Sequence, residues 1–512
     1  MDSLSHVRNR NIVLYGRLRP CEQFYLQFSK YLSIESIITD YETECVENKE
    51  DMVCPIHYIR DWTEYDKSEN YIICCYTERE DRAVCDALLE RNGFFYGEDY
   101  IDAVHVLSIF RHHFKVDWFD RETWIFGAGD KGITFYKQYQ ETGIKIRGFL
   151  SNFEQETVCE GLPVIQPAML ANIDKKNIYI VICSDAWKIL AEQLESMGIE
   201  GFKDYCFSDW VPKRVFVAMG PCNIYHPSRM LFKNSRFRAL YFRLLIIDTL
   251  DDCCSSADKR RFSTYGDICD VVFFRIKRLG DDEATDYGQE IVERYYLNAK
   301  KIKMPLYYFF GQLLQATTAI NPYTVKVKQQ DTFWFRGDSE VNRWVDADLS
   351  ISEIIDKVSD ESYWDENYIL ENLKKEFHKI RVLDRLSSVK IADFVEKHYR
   401  DFILFRDGTH YSIELTLYIT NEILKMLDIL PFSVEEAENA MEETTSEQKS
   451  FMPMYPCVAK ALQMEPKESE NVCPIVKSDR STEWVCFKEY IRRYAEFAYS
   501  VKRIVSEYGS VF

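Results

Sequence analysis

Two kinds of apolar pattern alternate along the first two-fifths of the chain, and the alternation is written twice. Residues 11–16, NIVLYG, are a continuous apolar run that stops at Gly16. Such a run, bounded by a turn residue, predicts a strand buried on both faces. The segment CEQFYLQFSKYL follows with helical spacing, then a second strand, IESIITD, the segment VCPIHYIRDW, a strand YIICCYT at 71–77, and a helix DRAVCDALLERNGF at 81–94. Residues 124–210 repeat the order: WIFGAG, KGITFYKQYQETG, IKIRGFLSN, GLPVIQPAML, IYIVICS and AWKILAEQLESMGI. The offset is roughly 107–112 residues, which predicts a duplicated βαβ-type unit with parallel strands. The expected divisions are repeat 1 at 1–115 and repeat 2 at 116–210.

A longer unit, 211–432, begins with RVFVAMG, a strand that stops at Gly220-Pro221. The spacing predicts a helix over FKNSRFRALYFRLLIIDTL, a strand over CDVVFFRIKR and a helix over ATDYGQEIVERYYLNAKKI. A strand over MPLYYFFG and several helices follow, among them IELTLYITNEILKMLDIL. Residues 433–512 open with VEEAENAMEETTSEQKS, whose charge and low hydrophobicity predict a solvated connector. They close with a helix over STEWVCFKEYIRRYAEFAYSVKRIV. Its aromatic face either packs on the preceding unit or supports self-association into a homo-oligomer.

Repeat 2 carries G-x-G-x-x-G at Gly127, Gly129 and Gly132, directly after a strand and opening a helix. Glycines so placed permit a tight turn and a close approach of a phosphate to the helix N-terminus. A nucleotide or nucleotide-sugar could bind there. The acid expected about 20 residues further on is replaced by Asn152. The alternative is that both repeats are structural or regulatory. The WIFGAG, GFL and LPVI segments resemble the small Rossmann-like domains attached to bacterial glycan-modifying enzymes.

Charge narrows the partners. The formal net charge is −19 with no Lys/Arg-rich run, so no nucleic-acid footprint is expected, and an anionic ligand needs a local basic pocket. The opening MDSLSHVRNR is polar and does not read as a signal peptide. The longest apolar stretch, 239–250, contains Arg243 and Asp248, which argues against membrane insertion. A cytoplasmic location is expected. None of the 16 cysteines falls in a C-x-x-C pair, so most are expected to fill cores, and no metal site is expected.

Cys222 is the exception by position, at the turn Gly220-Pro221-Cys222-Asn223 between a strand and a helix. That is where α/β proteins place reactive groups. Asp407-Gly408-Thr409-His410 stands late in the same unit. A carboxylate three residues before an imidazole can fix its tautomer and stabilise the imidazolium, and a paired thiolate is a competent acyl acceptor. Backbone N–H groups at the Cys222 turn, with Asn223 or Gly311, would hold the oxyanion. The literal Gly337-Asp338-Ser339 does not open a domain and is taken as a decoy. The bland readings are a core cysteine and an ordinary β-turn with a surface histidine.

GPCN at 220–223, MPLYYFFG at 304–311, FWFRGDSEVN at 333–342, VKIADFVEKHYRDFILFRDGTHYS at 389–412 and YPCVAKAL at 455–462 together resemble the WcbI family of capsular-polysaccharide biosynthesis proteins. The resemblance spans roughly residues 211–500. It implies an SGNH-like three-layer α/β/α domain, coenzyme A binding and acetyl transfer to a glycan or other small-molecule acceptor. Here the family's GNCQ is GPCN and its His-Pro is His410-Tyr411. For the coenzyme A phosphates the candidate cations are Arg229, Lys233, Arg236 and Arg238, and Arg275, Lys277 and Arg278, beside Gly220 and Asn223 of the turn. The expected fold is therefore α/β: two Rossmann-like repeats, an SGNH-like domain and a helical C-terminal extension. The expected activity is acyl transfer from acetyl-CoA, with Cys222, His410 and Asp407 as the catalytic set. The alternatives are a non-catalytic coenzyme A or nucleotide-sugar binding protein, or an esterase of the same fold.

Overall fold

The computed structural model describes residues 10–39, 55–58, 68–76, 79–116, 118–153, 158–247, 264–276, 287–316, 337–442, 452–464, 472–476 and 482–508. The chain forms two compact units. The first holds Met1–Ala218, Ser235–Val272 and Glu290–Lys300, and the second holds Met219–Asn234, Phe273–Gln289 and Lys301–Phe512.

Most of the first unit consists of two similar sheets. β1 (Asn11–Gly16), α1 (Leu18–Phe28), β2 (Ile34–Thr39), β3 (Ile56–Tyr58), β4 (Asn70–Cys75), α2 (Arg79–Arg91), β5 (Tyr100–Asp102) and α3 (Ala103–Phe114) come first. β6 (Glu122–Phe126), α4 (Asp130–Tyr139), β7 (Ile146–Leu150), β8 (Val158–Cys159), β9 (Leu162–Ile165), β10 (Ile178–Ile182), α5 (Trp187–Ser196) and β11 (Tyr205–Phe207) follow. The sheet orders are β3-β2-β1-β4-β5 and β11-β10-β6-β7-β9-β8. All pairs in the first sheet are parallel, as are all in the second except the short β8-β9 pair. In both, the first strand is central and a later one, β4 or β10, pairs on its far side, so the order reverses at β1/β4 and at β6/β10. The central strands are buried on both faces, which is why they read as unbroken apolar runs. One contact recurs. A Cβ on Gly16 would lie 2.8 Å from Cys75 O, and one on Gly127 would lie 2.5 Å from Cys183 O. Both glycines have positive φ, at +154° and +125°. The two sheets are joined through α1: Lys188 pairs with Glu22 at 2.8 Å and Trp210 Nε1 donates to Pro20 O at 2.9 Å.

The strand β12 (Arg214–Gly220) begins in the first unit and ends in the second. It is tied to α3 by Asp270, which accepts from Arg111 at 2.6 Å and from Val215 N at 2.7 Å. After it come α6 (Cys222–Leu231), α7 (Ser235–Leu240), β13 (Tyr241–Ile247), β14 (Val271–Ile276), α8 (Tyr287–Tyr295) and β15 (Lys300–Pro305). The sheet order is β13-β12-β14-β15. The rest of the second unit is mainly helical. It contains α9 (Ser339–Asp346), α10 (Ile351–Val358), α11 (Glu366–Asp384), α12 (Ala392–His398), α13 (Ile413–Met426), α14 (Val434–Glu442) and α15 (Pro456–Ala461). The hairpin β16 (Val472–Val476) and β17 (Thr482–Cys486) leads into α16 (Phe487–Tyr508).

Four sequence expectations are corrected. The helix expected through 250 stops at Leu240, and Tyr241–Ile247 is a strand. Aromatic and β-branched residues favour the pleated state where an apolar run fits both periods. The strand expected over MPLYYFFG lies earlier, at Lys300–Pro305. There the exposed Lys301 and Lys303 alternate with the buried Ile302 and Met304. Val434–Glu442 of the acidic connector is helical, because Ser433 and Glu436 cap its first turn reciprocally and Ala440 is buried. Residues 482–486 leave the final helix for the β16-β17 hairpin. Among the described residues no helix is long and apolar enough to cross a membrane.

Candidate active site at the Gly220 turn

β12 ends at Gly220, whose φ is +145°. A Cβ there would meet Ile224 Cγ1 at 2.8 Å and Arg275 Cβ at 3.3 Å, so the turn closes only with glycine. Pro221 caps α6 in an extended conformation, and Ile224 N and Tyr225 N both donate to Pro221 O. Cys222 is the first residue of the helix, and its side chain lies outside the described residues. Asn223 is buried. α6 packs along α13.

The Asp407–His410 turn belongs to the same compact unit. It is the tip of a short antiparallel pairing: Arg406 N donates to His410 O at 2.8 Å and Ser412 N to Leu404 O at 2.9 Å. Asp407 Oδ1 closes the turn by accepting from Thr409 N at 3.0 Å, Thr409 Oγ1 at 2.8 Å and His410 N at 2.8 Å. Its Oδ2 lies 2.8 Å from His410 Nδ1. The Asp407 side chain is 7% exposed and that of His410 26%. The imidazole thus has one edge fixed to a buried carboxylate, which places the proton on Nδ1 and leaves Nε2 as acceptor. Gly408 has φ +80°, and a Cβ on it would lie 2.3 Å from Phe310 Cε1. Phe309 N donates to Gly408 O at 2.9 Å, and Phe310 N to the buried Glu376 at 3.1 Å, so residues 309–310 brace the turn from outside.

Tyr411 follows the turn and is 3% exposed. Burial pushes its hydroxyl pKa up strongly, with smaller opposing influences from the Asn223 side chain, the Tyr307 backbone and Arg275. The Asn223 amide is close enough to favour the phenolate, yet the pair makes no hydrogen bond of ordinary geometry. Among the described residues the Asn223 amide, the Tyr411 hydroxyl and Arg275 Nε are all buried without a partner. A buried polar group left unpaired costs about 1–3 kcal/mol. The fold brings Asn223 close to Tyr411, 188 residues further along the chain. Sequence reading did not single out Tyr411. It also missed Glu376, which carries no local signal.

The other candidate cations are distributed. Arg229 lies over the Tyr225 ring, and Lys233 donates to Ala440 O at 2.8 Å, both in the second unit. Arg236 and Arg238 belong to the first unit, where Arg236 pairs with Glu141 at 3.0 Å. Gly127, Gly129 and Gly132 are also in the first unit. Lys277 and Arg278 lie outside the described residues. Gly311 is hemmed by Phe309 and Leu373.

Ser339 is committed to structure, with its Oγ donating to Gln315 O at 2.9 Å. Asp338 caps α9 through Glu340 N and Val341 N and accepts from Tyr455 at 3.0 Å. Burial pushes its carboxyl up to about 7, against those donors. The folded chain therefore holds a proton that the unfolded chain releases near pH 4. The stabilisation is full below that pH and is lost as pH rises through about 7, a difference of roughly 4 kcal/mol. Asp338→Asn keeps the capping oxygen and cannot titrate. Urea midpoints of the two proteins are expected to diverge between pH 4 and 7, with the wild type falling relative to the variant. Parallel pH profiles would show that Asp338 is ionised throughout.

No family model matches the chain, and no curated protein matches it in sequence. Among solved structures the chain is similar to WcbI, described as a novel polysaccharide biosynthesis enzyme, in a native form without a disulfide bond between coenzyme A and a cysteine of that protein. The likeness covers 58% of this chain and 96% of that one, at 10% identity and a TM-score of 0.42, which makes WcbI a distant structural neighbour.

Proposed function

We propose that the second unit is an acyltransferase that moves an acyl group, acetyl in the simplest case, from coenzyme A to a sugar hydroxyl during surface-polysaccharide assembly. The observation that carries the reading is the Asp407–His410 pair, 2.8 Å apart with the carboxylate buried and the imidazole partly open. The donor class comes from the motif resemblance across residues 211–500. The same reading takes this region as SGNH-like, the two repeats as Rossmann-like and the protein as cytoplasmic.

The residues fit the donor. Arg275 stands beside Gly220 with a buried, unpartnered Nε, and Arg229 belongs to α6, so both suit the phosphates of coenzyme A. In the direct route His410 Nε2 takes the proton of the sugar hydroxyl, and the oxygen attacks the thioester carbonyl carbon. The oxyanion accepts from the Asn223 amide and the Tyr411 hydroxyl. The carbon–sulfur bond breaks, and the proton passes from His410 to the leaving thiolate. In the covalent route His410 takes the Cys222 proton, the thiolate attacks the thioester carbon, and the coenzyme A thiolate leaves with that proton. The sugar hydroxyl then gives its proton to His410, its oxygen attacks the acyl-cysteine, and the Cys222 thiolate leaves and is reprotonated by His410. Pro221 supplies no N–H to the turn, which shifts oxyanion binding onto side chains.

The test is release of coenzyme A from acetyl-CoA with candidate sugars, comparing wild type, Cys222→Ala and His410→Ala. Both routes require His410→Ala to be inactive. Retained transfer in Cys222→Ala selects the direct route. Equal background release by all three proteins would refute the enzyme reading.

A further inference from the structure

The first unit contains a cavity of about 770 Å³ that the proposed transferase chemistry does not use. It opens at the carboxyl ends of β6, β7 and β10, where the strand order reverses. Doubly wound sheets bind ligands at this place, and the volume is within the roughly 300–1,000 Å³ of small-molecule sites.

The three glycines of its loop do different work. Gly127 is forced by the approach of Cys183 O, and Gly132 by the approach of Gly127 O, 1.8 Å from where its Cβ would stand. Gly129 is forced by nothing inside the protein. Its φ of −88° and ψ of −169° suit any residue, and no atom lies within 4 Å of its Cβ position. Absence of a side chain there keeps the cavity floor open to a close-lying group. Gly129 caps α4, so that group would face the first N–H donors of a ten-residue helix. The rim supplies a second, independent feature. Phe153 and Ile189 both line the cavity and are 79% and 66% exposed. Large apolar side chains so exposed on either side of a polar floor suit a planar ring. Lys131 and Asp185 complete the polar lining. Asp185 holds Lys131 and also Arg19, whose Nη1 is 2.9 Å away.

The first repeat differs at this loop. Its helix begins at Leu18, two residues after Gly16, with Arg17 as the cap, whereas α4 begins three residues after Gly127. Five residues after Gly16 stands the buried Cys21, where the second repeat has Gly132.

We propose that this cavity binds a nucleoside diphosphate, free or linked to a sugar. The diphosphate lies over Gly129 and the start of α4, Lys131 turns from Asp185 to the phosphates, and the base sits against Phe153 and Ile189. The carboxylates of Asp130 and Asp185 accept from ribose or sugar hydroxyls. The proposal does not rest on the acyltransferase reading.

Titration calorimetry of the full chain tests it with ADP, UDP, UDP-glucose, coenzyme A and inorganic diphosphate. At least one nucleotide is expected to bind one per chain with a Kd below about 1 mM. Gly129→Thr supplies a capping hydroxyl and fills the open floor, so it should weaken that binding at least about tenfold without lowering the ligand-free Tm. Phe153→Ala removes an exposed ring and should weaken it by roughly fivefold or more. UDP-glucose binding more tightly than UDP identifies a sugar-linked ligand, and the reverse a free nucleotide. The proposal is overturned if no nucleotide binds, if both variants bind like wild type, or if inorganic diphosphate binds as tightly as the nucleotides.

Discussion

Asp407→Asn should lower kcat for the proposed acyl transfer by about 10²–10⁴-fold while leaving KM for acetyl-CoA within about twofold. The geometry makes this substitution cleaner than removing the histidine. Asp407 Oδ1 carries the three hydrogen bonds that close the turn, and an asparagine oxygen can keep all three. Oδ2 faces His410 Nδ1, and an asparagine NH₂ there sets a donor against a donor. The ring then takes the other tautomer, with its proton on Nε2, and can no longer accept one from the attacking hydroxyl. Steady-state kinetics across pH, with thermal unfolding as a control, would check this. An unchanged kcat with an unchanged Tm would mean that His410 is not the base.

Gly132→Ala should unfold the second repeat or destabilise it by about 3 kcal/mol or more. The added methyl would lie 1.8 Å from Gly127 O and 3.2 Å from Ile125 Cγ2. The first of these is backbone at the end of a buried strand, so relief requires α4 to move off the sheet, and overpacking of this kind costs about 1–3 kcal/mol or more. Gly129→Ala, with nothing within 4 Å, should leave stability within about 1 kcal/mol. Urea unfolding of the two variants separates the glycine that packs from the glycine that leaves space. Equal midpoints would show that the helix can shift freely.

The sequence disclosed the parts of the fold that depend on local rules. Gly16 and Gly127, each ending a run of apolar residues, mark central strands because buried parallel strands need no polar alternation. Asp407-Gly408-Thr409-His410 was legible as a turn because its hydrogen bonds run within four residues. What stayed hidden depends on residues far apart in the chain. Glu376 on α11 holds Phe310 N, and Phe310 in turn limits position 408 to glycine. The approach of Tyr411 to Asn223 is likewise set by tertiary packing. Tyr241–Ile247 was read as helix because an apolar run satisfies both periods, and sheet pairing decides between them.

β12 begins in one compact unit and ends in the other, and the chain crosses between the units after residues 218, 234, 272, 289 and 300. During synthesis the first unit therefore cannot be completed when its two repeats have emerged. It waits for Glu290–Lys300, by which time the Gly220 turn and α6 have already been made. Cutting the gene after residue 210 would sever this interleaving rather than release a finished domain. The duplicated sheets and the region around the Gly220 turn are thus bound into one folding history, whatever each of them binds.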